Sequence, residues 1–315
     1  MKKCINKVNI EGYVYQHSLT IKTVQNKESD NFGKEFINGQ IDVVVDEEGL
    51  NIVPVHFTYV TPTTKAGATN RTYSVLKNII DSGKTWLNDG KDATKVKCDC
   101  AFALNDFYAN DGQLVSQVVQ EGSFISIVSE LAPVESRNTF NVDLFITTVN
   151  RIEADEEKNI PADYCTVKGA AFNFRNAILP IQFIIKNEKG MEYFESLDIS
   201  PKDPVFTKVW GRINHISTQI SRTEESAFGE PVVTSYERKV KELVITSAAR
   251  ECYDFGDENI LTEAEVVKAM QDREILLADT KKRSDEYKAS KAAAPTSFAT
   301  TPTPVADTKK TTFNF

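Results

Sequence analysis

Asn6-Lys7-Val8-Asn9-Ile10-Glu11-Gly12-Tyr13-Val14-Tyr15-Gln16 reads as a single β-strand. Successive side chains of a strand point to opposite faces. Val8, Ile10, Gly12 and Val14 fall on one face, which suits a barrel core. Lys7, Asn9, Glu11, Tyr13 and Tyr15 fall on the other. Two tyrosines beside a lysine on the polar face offer flat rings to something outside the protein. On a small β-barrel, such rings suit stacking on an unpaired base. A slip of one residue in register would bury both tyrosines.

Outward from this strand, residues 5–152 continue as β. Alternating or apolar runs occupy 5–15, 36–45, 50–60, 95–108, 113–128 and 138–152, separated by turns such as Asp46-Glu47-Glu48-Gly49 and Ala109-Asn110-Asp111-Gly112. Tyr73, Leu76, Ile79 and Ile80 recur at helical spacing, and Gly83 follows as a stop. Strands, one helix, then strands is the order expected of an OB barrel.

The acidic run Glu153–Asp163 predicts a linker, and a second region repeats the first in outline. Its first strand is Cys165-Thr166-Val167-Lys168-Gly169-Ala170-Ala171-Phe172-Asn173-Phe174, with Gly169 in the place of Gly12. Ile178–Lys186 and Met191–Ile199 read as a hairpin, Val205–Ile213 as a short helix, and His215–Arg222 and Ser235–Ser247 as two more strands. Thr262 and Glu265 form a capping box that starts a long charged helix over 262–291. Residues 292–312, rich in Ala, Thr, Pro and Ser, read as disordered and lead to Phe313 and Phe315. The expected fold is mainly β: two OB-like five-stranded barrels in tandem, a C-terminal helix and a disordered tail. The units are 1–152, a linker 153–163, 164–250, 251–291 and 292–315.

With 41% hydrophobic and 26% charged residues, most of the 315-residue chain is expected to fold. The net charge of −8 and a pI near 5.2 exclude a uniformly basic nucleic-acid binder. They allow a protein that gathers its cations in one groove. Five scattered cysteines, with Cys98 and Cys100 on one strand face, match no zinc or redox spacing and read as buried free thiols of a reducing compartment. No leader and no apolar run of about 20 residues is legible, so a cytoplasmic location is expected.

Catalytic motifs do not emerge. Gly83-Lys84-Thr85 lacks the upstream glycine of a phosphate loop and follows a helix instead of preceding one. His17, His56 and His215 are dispersed, and the acidic clusters lie in turns. No enzyme activity, cofactor or metal is expected.

Aromatic and basic residues are more informative. Beside Lys7, Tyr13 and Tyr15, the candidates for contacting a nucleic acid are Phe57 and Tyr59, then Lys65 and Arg71 in the Thr61–Thr72 loop, then Phe107 and Tyr108. In the second region they are Lys168, Phe172, Phe174, Trp210 and Arg212, with Arg222, Arg238, Lys239 and Lys241 adding charge. Stacking contributes about 1–3 kcal/mol per base and tolerates any sequence. Lysine and arginine neutralise phosphates. The plain alternative for each ring is packing in the core or rim.

At these residues the chain resembles single-stranded DNA-binding proteins of the bacterial and phage type. Asn6–Val14 is similar to that family's "NKV-x-L-x-G" first strand, Gly39–Val45 and Val53–Tyr59 to its second and third, Tyr73–Ile80 to its barrel helix, and Phe124–Val128 to the strand after it. The likeness covers about the first 150 residues. The tail resembles the family in its order of parts. The family's acidic tip is replaced here by Lys309-Lys310-Thr311-Thr312-Phe313-Asn314-Phe315. Two barrels and this tip both fit a divergent phage or mobile-element protein.

The resemblance implies a protein that coats single-stranded DNA during replication or recombination, with Phe313 and Phe315 as a docking tip for partner proteins. The alternative is a structural or assembly protein, such as a virion component, that uses its barrels as interaction modules.

Overall fold

The computed structural model describes residues 4–155, 160–224, 228 and 232–293. Its strands are β1 (Asn6–His17), β2 (Thr20–Thr23), β3 (Glu35–Val44), β4 (Ile52–Val60), β5 (Lys95–Tyr108), β6 (Leu114–Ile127), β7 (Asn138–Ile152), β8 (Tyr164–Phe172), β9 (Ile178–Ile185), β10 (Val205–Glu224) and β11 (Val232–Ala248). The helices are α1 (Arg71–Ser82), α2 (Trp86–Asp89), α3 (Glu188–Ser196) and α4 (Glu263–Ala293).

The strands close two OB barrels of the same topology. In the first, β1 pairs with β3 and β5, β3 with β4, β5 with β6, and a parallel contact of β4 with β6 closes the ring. In the second, β7 pairs with β8 and β10, β8 with β9, β10 with β11, and β9 with β11 in parallel. α1 and α3 occupy the same place in the two chain orders. The inward residues of the opening strand behave as the alternation requires: Val8, Ile10 and Val14 are buried in one core shared with Val43, Val53, Phe57 and Leu76.

Three sequence readings are corrected. β7 is the first strand of the second barrel, so the barrels meet near residues 128–137, and 153–163 connects β7 to β8 within the second barrel instead of linking two barrels. Met191–Ile199 is not a strand. Asn187 accepts from the Gly190 amide at 2.7 Å and starts α3, which buries Met191 and Phe194 at helical spacing. Val205–Ile213 is not a helix but the first half of β10, where Thr207, Val209, Gly211 and Ile213 alternate inward. The tail that was expected to be disordered lies outside the described residues.

The true counterpart of the opening strand is therefore β7 and not Cys165–Phe174. Each first strand carries a bulge, at Tyr15 and at Thr147. Superposing the bulges matches Asn6-Lys7-Val8-Asn9-Ile10-Glu11 with Asn138-Thr139-Phe140-Asn141-Val142-Asp143. The hydrogen bonds agree. Asn6 Nδ2 donates to the Phe102 carbonyl of β5 at 3.0 Å, and Asn138 Nδ2 donates to the corresponding Ile213 carbonyl of β10 at 2.6 Å. β1 and β7 pair antiparallel from Asn6↔Val142 to Ile10↔Asn138. That register relates the two barrels by a local two-fold through the Val8–Phe140 pair.

Beyond the barrels, β5–β6 and β10–β11 continue as two arms. The β10–β11 arm lies on the first barrel, where the Ser217 amide donates to the Leu50 carbonyl at 3.1 Å and the His215 amide to Asn51 Oδ1 at 2.9 Å. The inward face of the β5–β6 arm is covered by α4. The expected capping box is present: the Thr262 amide donates to Glu265 Oε2 at 2.8 Å, and Val266 and Ala269 anchor the helix in a second core with Phe172 and Phe206.

His215 lines a cleft of about 380 Å³ between the β10–β11 arm and the first barrel, with Tyr15, Pro54, Lys239 and Lys241. Burial, with Lys241 nearby, lowers its pKa from 6.5 to about 4. The folded protein therefore favours neutral His215. The associated stability is complete above pH 6.5 and is lost as the pH falls toward 4, because the unfolded chain takes up the proton first. Urea unfolding at pH 7 and pH 5 should show His215→Gln reducing the pH-dependent loss by about 2 kcal/mol. An identical loss in both proteins would place the titration elsewhere.

Candidate nucleic-acid interface

The outward face of the paired first strands forms the floor of a cleft of about 740 Å³ between the barrels. Register places its residues in two rows of four. One row runs Trp210 (β10), Asn141 (β7), Lys7 (β1) and Ala101 (β5); the other runs Arg212, Thr139, Asn9 and Asp99. All eight line the cleft, joined at its rim by Ser123 and Thr246. The latter two sit where β5–β6 and β10–β11 carry matching irregularities. Each hydroxyl donates to a carbonyl of its neighbouring strand, Ser123 to Asp99 at 2.9 Å and Thr246 to Trp210 at 3.4 Å.

The floor is pre-set. Arg212 donates from Nε and Nη2 to Asn138 Oδ1 at 3.1 and 3.0 Å, and from Nη2 to the Val134 carbonyl at 3.0 Å. Its charge is thus held at the cleft without long-range movement. Trp210 is 37% exposed, so much of its indole faces solvent. Lys7 is exposed. Asn141 Oδ1 is buried with no hydrogen-bond partner among the described residues. An acceptor left unmade is costly until a donor reaches it.

Lys7, Trp210 and Arg212 are the sequence-named candidates that the fold brings together here. Others are placed apart. Tyr13 does lie on the outer face, but α2 covers it: the residue is 8% exposed, and its ring lies 5.1 Å from that of Trp86 with Lys95 Nζ 5.9 Å from its centroid. The expected open tyrosine face is therefore closed. Tyr15 is half-buried beside Ile52 and Trp86 and borders the smaller cleft. Phe57 and Phe172 are core residues, against the expectation that they face a ligand.

Tyr59 is exposed but rests on Phe36 with ring centroids 4.7 Å apart. Lys65 is exposed in the loop before α1, Arg71 is exposed as the first residue of α1, and Lys168 is exposed on β8. Phe174 is 72% exposed, with the Arg175 guanidinium 5.0 Å from its ring centre. Phe107 faces outward on the β5–β6 arm, while the Tyr108 hydroxyl donates to the Leu277 carbonyl of α4 at 3.4 Å. Lys239 and Lys241 line the smaller cleft. Phe313, Phe315 and the side chains of Arg222 and Arg238 lie outside the described residues.

Asn9, Asn141, Thr139 and Asp99 were not among the sequence candidates. The repeated Asn-x-apolar-Asn-apolar-acid pattern at 6–11 and 138–143 was the signal that marks three of them.

The site offers binding chemistry. Among the described residues, no cluster of three or more His, Cys, Asp or Glu is arranged to hold a metal ion. Cys4, Cys98, Cys100 and Cys165 are buried free thiols, and burial raises the pKa of each. No helix among the described residues is long and apolar enough to cross a membrane.

The model of a protein family described as YorF matches residues 5–283. No curated protein matches the sequence. Among solved structures, a deletion mutant of the single-stranded DNA binding protein from Thermus aquaticus aligns at TM-score 0.46 and 11% identity over 81% of this chain and 98% of that one. A replication protein A heterotrimer bound to single-stranded DNA aligns at TM-score 0.22 and 8% identity over 85% and 69%. The OB assignment rests on strand connectivity, and the reading of the cleft on its residues.

Proposed function

The chain belongs to the YorF family, and we propose that it binds single-stranded DNA in the cleft between its two barrels. The observation that carries this reading is the half-open Trp210 ring on the same floor as Lys7 and Arg212. An indole face stacks on any base. Lys7 on β1 and Arg212 on β10 supply positive charge two strands apart, on either side of β7. Coating exposed strands in replication or recombination, without catalysis, belongs to the same proposal.

Trp210→Ala is expected to weaken binding to oligo-dT about tenfold to a hundredfold, the loss of one stacked base. Fluorescence anisotropy measures it. Trp86 lies on Tyr13 away from the cleft, so quenching of intrinsic fluorescence by DNA should persist in Trp86→Phe and vanish in Trp210→Ala. With two cations at the cleft, the logarithm of affinity should fall with the logarithm of salt at a slope of about −1.4. Lys7→Ala should remove about half of that slope. No affinity for oligonucleotides combined with stable self-association would instead support an assembly protein. Cleavage of labelled strands with Mg²⁺ would overturn the non-catalytic reading.

A further inference from the structure

The local two-fold exchanges Trp210 with Asp99, Arg212 with Ala101, Lys7 with Thr139, and Asn141 with Asn9. The amides are the same in the two halves; the aromatic ring and the charges are not. Duplication and pairing of the first strands would by themselves produce a cleft whose halves bind a ligand equally. Here the half next to β10 has an indole and a guanidinium. The half next to β5 has a carboxylate and a methyl group in the corresponding places.

We propose that Asp99 is the residue that ends the nucleic-acid track, confining the strand to β10, β7 and β1 and keeping phosphate off β5. The proposal rests on the single-strand reading of the cleft. Asp99 is exposed, lines the cleft and pairs with Asn9 on β1, whose partner on the other side is Thr139. Three strand spacings separate it from Arg212, about 14 Å. That is more than one Debye length of about 8 Å at physiological salt, so each charge acts on the part of a bound strand nearest to it. Lys7 lies between them on the other row. Glu135 also lines the cleft and Lys97, two residues along β5, is paired with Glu11 at 3.5 Å, so the contrast between the ends is that of Arg212 with Asp99: a phosphate over β5 beside Asp99 meets a like charge with no cation in its row closer than Arg212.

Removing this stop should tighten and lengthen binding, whereas most substitutions in a binding site weaken it. Oligo-dT titrations across a series of lengths, at two or more salt concentrations, compare wild type with Asp99→Asn, Asp99→Lys and Trp210→Ala. Asp99→Asn keeps shape and removes charge. It is expected to bind about threefold tighter, and Asp99→Lys about tenfold tighter, with the salt slope steeper by about 0.7 and the shortest saturating oligonucleotide longer. Thermal unfolding of Asp99→Asn checks that the fold is retained.

If wild type binds and Trp210→Ala binds more weakly, yet both Asp99 variants match wild type in affinity, slope and length, the assignment of Asp99 is wrong and the single-strand reading stands. Weaker binding by a folded Asp99→Asn also overturns it, because the carboxylate would then be accepting from the strand. If wild type fails to bind, or Trp210→Ala binds as well as wild type, the site reading itself fails.

Discussion

Replacing Arg273 with alanine should cost about 3 kcal/mol of stability and loosen the β5–β6 arm. Arg273 Nη1 and Nη2 donate to the two carboxylate oxygens of Asp106 at 2.8 and 3.1 Å, and the side chains of the pair are only 14% and 13% exposed. Burial pushes the Asp106 carboxyl up, but hydrogen bonds from Arg273 and Ser116 outweigh it and hold the pKa below the ordinary carboxylate value. The pair's contribution is therefore present above the unfolded-state pKa and is lost as the pH falls through the lower folded value.

Removing the arginine leaves a buried charge with the Ser116 hydroxyl as its remaining side-chain donor. The rest of the α4 latch, Tyr108 to Leu277 and Lys288 to the Ala109 carbonyl at 2.8 Å, is peripheral. Hydrogen exchange should thus accelerate in residues 103–118 and in α4 before the barrels respond. Arg273→Lys should rescue little, since an ammonium cannot reproduce a two-pronged contact. Urea unfolding within 1 kcal/mol of wild type would show that the latch is not structural.

Gly211→Ala is the second large effect. A Cβ at Gly211 would stand 2.0 Å from the Val244 carbonyl oxygen and 2.3 Å from Phe140 Cζ. The first neighbour is backbone of the paired strand and the second a ring in the shared core, so neither can yield cheaply. A loss of about 3 kcal/mol is expected. Gly211 also separates Trp210 from Arg212, so displacement of β10 should abolish cleft binding. Gly112→Ala is the control. It has a positive φ of 82° but nothing within 4 Å of a Cβ, and should cost about 1–2 kcal/mol. Equal losses at the two glycines would contradict a packing origin.

Period-two alternation made β1, β3, β4, β5, β6 and β7 legible, because one buried face imposes apolar side chains at every second residue. Misread segments were those in which the two periods coincide. Val205, Val209 and Ile213 satisfy a four-residue repeat as well as a two-residue one. In Met191–Ser196 the helical burial of Met191 and Phe194 is mixed with a strand-favouring tyrosine. Pairing to β7 settles the first case, and the Asn187 cap settles the second.

The candidate site was less legible than the fold. Lys7, Trp210 and Arg212 were identified by residue type, but nothing local says that residues 7, 141, 210 and 212 share a floor. Tyr13 shows the limit most plainly: alternation put it on the correct face, while the tilted packing of Trp86 decided that this part of the face is closed.

The amino-acid order by itself determined which segments extend, which faces of them are apolar, and where α1 and α4 begin, since these depend on neighbours within a few residues. Only the tertiary structure decided that β7 starts the second barrel, that the first strands pair about a two-fold, and that one half of the resulting cleft carries an indole where the other carries a carboxylate. Those outcomes depend on hydrogen-bond register between strands more than a hundred residues apart, a property of the closed barrels that local sequence does not encode.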